Sequence, residues 1–130
     1  MKIVINRCYG GFGLSKEAMM RYAELKGLTL YHEREFRCDH YYKVPADMYK
    51  RLYEEAQETH SYGEINGLYF SDRDIERNDP LLVQVVEELG HLSWGDHAEL
   101  KVVEIPDGVR WEISEYDGME RVEEIHRSWL

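Results

Sequence analysis

The amino-acid sequence predicts one domain over residues 1–130, of the α/β or α+β class. A small mixed or antiparallel sheet, with a C-terminal β-hairpin at about 99–105 and 109–116, is covered by three or four helices. Three observations carry this prediction. A short β-branched strand at Lys2 to Arg7 runs into a glycine-rich loop. Two later segments open with helix-capping residues, Ser15 and Asp79-Pro80, and close at Gly27 and Gly90. Finally, Val109, Trp111 and Ile113 alternate with Arg110, Glu112 and Ser114, the mark of a strand with one wet face.

The elements follow in order. The first helix starts at Ser15, has Glu17 in its first turn and aligns Ala18, Met19, Tyr22 and Leu25 on one face. Leu28 to Tyr31 reads as a second strand, either the return of a βαβ unit or an antiparallel one. His32 to Tyr42 is charged and aromatic and yields no element. Pro45 precedes a helix from Ala46 to about Thr59, with Met48, Leu52, Tyr53 and Ala56 on one side. Gly63 and Gly67 mark loops, and Leu68 to Ser71 a short strand. The helix opened by Asp79-Pro80 bears the apolar stripe Leu81, Leu82, Val85, Val86 and Leu89. Glu99 to Ile105 is a strand, Pro106-Asp107-Gly108 a turn and Val109 to Tyr116 its return. A last helix or helical turn follows Gly118, with Val122 and Ile125 inward.

Composition limits function. Twenty-six acidic against sixteen basic residues give a formal net charge of −10, a field that opposes binding of long nucleic acid. A small nucleotide held by two or three local arginines remains compatible with that field, as does docking on a basic partner. No segment has the apolar length of a membrane span or a signal peptide, so a cytoplasmic protein with no membrane partner is expected. Cys8 and Cys38 are then expected as free thiols.

Several clusters offer chemistry. In Arg7-Cys8-Tyr9-Gly10-Gly11-Phe12-Gly13-Leu14-Ser15, glycines permit close approach to a ligand and a helix N-terminus presents N–H groups. The loop reads as a phosphate cradle of Gly10, Gly11, Gly13 and Ser15, with Arg7 adding charge and Tyr9 or Phe12 stacking on a base. It reads equally as a tight strand-to-helix connection with Phe12 in the core. Asp72 and Asp74 have the spacing of oxygen ligands for a divalent cation, or of partners for Arg73 and Arg77, whose guanidinium forks suit phosphate. His32, Arg34, Arg37, Cys38, Asp39 and His40 lack the spacing of a zinc site. His91, Trp94, Asp96 and His97 follow the Asp79 helix without a nucleophile motif, and His126-Arg127-Ser128-Trp129 suits a subunit contact. No metal, cofactor or catalytic residue is assigned.

Lys2 through Ser15, Tyr69-Phe70-Ser71-Asp72-Arg73-Asp74-Ile75, Asp79 through Gly90, Ala98 through Pro106, Trp111-Glu112-Ile113 and Glu115-Tyr116-Asp117-Gly118 resemble a family of small proteins of bacteriophages and their bacterial hosts. The resemblance spans a little over half the chain and leaves out His32 to Asn66. It implies a phage context, in the cytoplasm of the infected host, and transfers no catalytic residues. By class-level analogy with phage proteins that blunt host immunity, it implies a non-enzymatic homo-oligomer. Such a protein would sequester a nucleotide-derived, phosphate-bearing signalling molecule, with Arg7, Tyr9, Gly10, Gly11, Phe12, Gly13, Ser15, Arg73 and Arg77 as the binding residues. The alternatives are a metal-assisted phosphodiesterase using Asp72 and Asp74, and an acidic inhibitor that docks on a host protein.

Overall fold

A computed structural model describes residues 1–125. Among them are four α-helices and seven strands in small antiparallel sheets, a mixed α+β fold with a C-terminal β-hairpin. The chain gathers into two compact units. One comprises Met1–Tyr22 and the segment from Ile75 onward; the other, Ala23–Asp74, is inserted between those two segments.

In the first unit, strand β1 (Lys2–Asn6) pairs antiparallel with a strand over Leu100–Glu104, in the register Lys2↔Glu104 to Asn6↔Leu100. Ile3, Val4 and Ile5 are almost wholly buried, as an unbroken β-branched run covered on both faces requires. Helix α1 (Lys16–Lys26) begins where the Ser15 hydroxyl accepts the Ala18 N–H at 3.1 Å, and it buries Ala18, Met19 and Tyr22. Asp79 caps the apolar helix over Pro80–Leu89 by accepting the Leu81 N–H at 2.8 Å. The same carboxylate accepts the Tyr22 hydroxyl at 2.6 Å, so one side chain starts a helix and ties it to α1.

The second unit opens with the end of α1. Gly27 takes φ +79°, its N–H donates to Glu24, and the Leu28 N–H donates to Ala23 at 2.8 Å. This is a Schellman closure, in which Leu28 belongs to the helix stop. The strand expected at Leu28 to Tyr31 therefore begins only at Tyr31. Strands β2 (Tyr31–Glu35) and β3 (Cys38–Tyr42) form a hairpin, and β3 also pairs with the two-residue β4 (Tyr69–Phe70). The βαβ alternative is excluded, since β1 and β2 lie in different sheets. Helix α2 spans Ala46–Thr59, and a single turn, α3, covers Gly63–Asn66 where the glycines had suggested only loop.

Completing the first unit, α4 is the Pro80–Leu89 helix and β5 the Leu100–Glu104 strand. The expected C-terminal hairpin exists, but its arms are β6 (Trp111–Tyr116) and β7 (Met119–Glu124). Two details of the sequence reading change with it. The Pro106-Asp107-Gly108 turn does not fold 99–105 onto 109–116, because β5 is taken by β1. The segment after Gly118 is a strand rather than a helical turn, because Asp117 and Gly118, at φ 49° and 88°, form the two-residue turn favoured in hairpins. The subunit contact read at His126–Trp129 lies outside the described residues.

Candidate functional site

The glycine loop proves to be packed by its own polypeptide. A Cβ on Gly10 would overlap the His97 carbonyl oxygen, and one on Gly95 would lie 2.8 Å from the Gly13 carbonyl carbon. Gly118 approaches from the hairpin, where a Cβ would sit 2.7 Å from the Gly11 nitrogen. Backbone pairs reinforce this: Gly95 N–H donates to Gly13 at 2.9 Å, and Ser15 N–H donates to Ser93 at 3.0 Å. The Ser15 hydroxyl donates to the Leu92 carbonyl at 2.6 Å while capping α1. The groups offered to a phosphate by sequence reading thus serve three converging segments of one unit.

The arginines fare differently. Arg77 makes two bonds to Glu120, 2.6 and 2.9 Å, and its guanidinium lies 3.5 Å from the centroid of the Phe12 ring. Glu120 is only 5% exposed and also accepts the Asn6 N–H at 2.8 Å. Phe12 and Arg77, both partly exposed, therefore pack on each other beside the buried Glu120. Arg7 is exposed and donates to the Glu120 carbonyl at 3.3 Å, while Tyr9 stands 65% exposed. Arg73 belongs to the second unit, on an exposed 3₁₀ turn. In that turn the Asp74 carboxylate accepts the Ser71 N–H at 2.9 Å, a local cap. Among the described residues, no group of three or more His, Cys, Asp and Glu side chains is arranged to hold a metal ion.

The 32–40 cluster resolves into sheet chemistry. Asp39 on β3 faces Arg34 on β2 at 2.9 Å and meets His32 at 2.6 Å. Burial pushes the Asp39 carboxyl up, but the hydrogen bonds from His32 and Arg34 outweigh it and hold the group below its ordinary value.

A concavity that sequence reading missed is in this same unit. A recess of about 410 Å³ is lined by His40, Tyr42, Tyr49, Asn66 and Tyr69. A second, of about 340 Å³, shares Tyr42 and Tyr49 and adds Tyr53. The two common rings lie 4.4 Å apart between centroids, and Tyr69 is 5.7 Å from Tyr42 and 6.5 Å from Tyr49. Such spacings are those of aromatic pairs in contact. His40 Nδ1 shares a 3.1 Å hydrogen bond with the Tyr69 hydroxyl, which orients both. Each element supplies its part: β3 carries His40 and Tyr42, α2 carries Tyr49, α3 carries Asn66 and β4 carries Tyr69.

Burial dominates the electrostatics of the recess. Burial raises the phenol pKa of Tyr42, Tyr49 and Tyr69. Glu33 adds to the effect at Tyr42, as do Asp72 and Asp74 at Tyr69. The rings are therefore neutral phenols at neutral pH, serving as donors and π-faces, with Lys50 opposing the effect of Glu33 at Tyr42. Tyr42, Tyr49 and Tyr69 carried no motif because their neighbourhood is made by pairing and helix packing, not by spacing. The one available signal was the density of tyrosine from position 41 to 69. No known protein family, curated protein or solved structure matches this chain.

Proposed function

We propose that the protein is a non-enzymatic binding module for the planar ring of a nucleotide-like small molecule. The observation that supports this is the tyrosine-walled recess of Tyr42, Tyr49 and Tyr69 with the carboxamide of Asn66 beside it. A base stacked on an aromatic ring gains about 1–3 kcal/mol, and a carboxamide matches the donor–acceptor edge of an adenine-type base. The volume suits a nucleobase or nucleoside. Asp72 and Asp74, which act on Tyr69, repel phosphate, so a phosphorylated ligand would enter ring first and keep its phosphates in solvent. In the phage setting implied by the resemblance, the role is sequestration of a nucleotide-derived immune signal in the host cytoplasm.

Titration calorimetry against adenosine, AMP and the other nucleosides tests the reading. Adenosine is expected to bind at least as tightly as AMP, Tyr49→Ala to weaken binding about tenfold, and the ligand to be recovered unchanged after denaturation. Absence of saturable binding by any nucleoside at millimolar concentration, or wild-type affinity in Tyr49→Ala, overturns it.

A further inference from the structure

The tyrosine recess adjoins a second one built from the same chemistry. On α2, Tyr49, Tyr53 and Gln57 recur every four residues, a spacing that sets them in one row along the helix. The rings of Tyr49 and Tyr53 stand 6.3 Å apart between centroids, with planes 22° from parallel. The Tyr62 ring packs on Tyr53 at 6.1 Å and steadies it. This row, with Tyr42, walls the recess of about 340 Å³. Tyr53 remains 41% exposed, so part of its surface is open to a ligand.

Each recess thus offers tyrosine rings and one exposed carboxamide, Asn66 in the first and Gln57 in the second. They meet at Tyr42 and Tyr49, whose centroids are 4.4 Å apart. Stacked aromatic layers lie about 3.4 Å from one another, so no third ring passes between these two. A single flat ring system therefore cannot extend through that contact from one recess into the other. Two separate rings on a flexible tether can occupy both. Lys50 also lines the second recess, but Glu33 already holds its ammonium at 2.8 Å. Recognition there falls to ring faces and the amide.

We infer that the ligand carries two planar rings, one for each recess, and is of the dinucleotide class. The inference rests on the reading of the first recess as a base site and adds the second ring. Joining the rings makes the second binding event intramolecular, which raises affinity without any new contact in the first recess.

Titration calorimetry of the full chain with adenosine and with the dinucleoside monophosphate adenylyl-adenosine decides it. Adenylyl-adenosine is expected to bind once per chain and about tenfold or more tighter than adenosine. Its phosphodiester charge works against it on a chain of net charge −10, so the gain reports the second ring. Tyr53→Ala, at an exposed helix position that alanine suits, should abolish the gain while adenosine still binds in the first recess. Tyr53→Phe keeps the ring and should keep the gain. Adenosine binding with no tighter binding of adenylyl-adenosine, or wild-type affinity for adenylyl-adenosine in Tyr53→Ala, overturns the two-ring inference and leaves the base site standing. Absence of binding by either compound overturns both.

Discussion

Glu120 shows how one side chain acquires its meaning from the fold. Its carboxylate is bonded twice by Arg77 and once by the Asn6 N–H, and it is nearly inaccessible to solvent. Removing the charge leaves the Arg77 guanidinium uncompensated beside Phe12. Breaking a fully buried pair costs about 3–5 kcal/mol, and with Arg77 22% exposed this one falls at the low end, whereas neutralising both partners costs much less. Urea unfolding should accordingly place Glu120→Gln about 3 kcal/mol below wild type. The double variant Arg77→Met/Glu120→Gln should lie above that single variant, since the Gln carbonyl still accepts the Asn6 N–H. From the sequence alone, Arg77 looked like a phosphate ligand because its chemistry suits phosphate. Its actual anion stands 43 residues away along the chain, a distance that no local pattern encodes.

Elements with local causes were legible. Ser15 and Asp79 cap the helices they were expected to cap, and α2 begins and ends at the residues read for it. The second hairpin was also written in the sequence, as Asp117-Gly118 flanked by strand-forming residues, but the acidic run after it resembled a helix. Strands β2 and β3 were not legible, because their half-exposed faces are held by ion pairs such as Arg34–Asp39 instead of apolar alternation. The glycines separate two physical demands. Gly118 has φ 88° and would press a Cβ against the Gly11 nitrogen, while Gly108 has φ 80° and open space around it. Gly108→Ala should therefore cost about 1 kcal/mol from the backbone alone. Gly118→Ala should cost at least 2 kcal/mol more, about 3 kcal/mol in all, from strain plus steric conflict with the loop. Thermal unfolding of the two variants side by side measures the difference.

At the scale of the whole molecule, charge and tyrosine titration act together. The chain carries a net charge of −10 before any phenol ionises. Burial raises the pKa of Tyr22, Tyr42, Tyr49 and Tyr69, and Asp79 adds to the effect at Tyr22. Unfolding returns each to its ordinary value near 10. The unfolded chain then loses those protons first as pH rises, so the stability from the neutral phenols is complete below about pH 10 and falls as pH climbs through the higher folded values. Denaturant midpoints measured upward from neutral pH should be flat to about pH 10 and then decline. The tyrosinate absorbance of these four phenols should appear with unfolding rather than before it. Tyr42→Phe should leave that decline shallower, because it removes one of the linked protons.

What the sequence determined by itself were the parts governed by neighbours along the chain, helix starts and stops and the buried β1 strand, together with the net acidic charge. The tertiary structure decided which strands pair and which anion each arginine meets. It also turned the glycine loop into a packing joint and assembled a recess from four separate elements. The reason is one of range. Capping, periodicity and propensity act within a few residues, whereas pairing partners, burial and ring-to-ring distances are set by segments that only folding brings together.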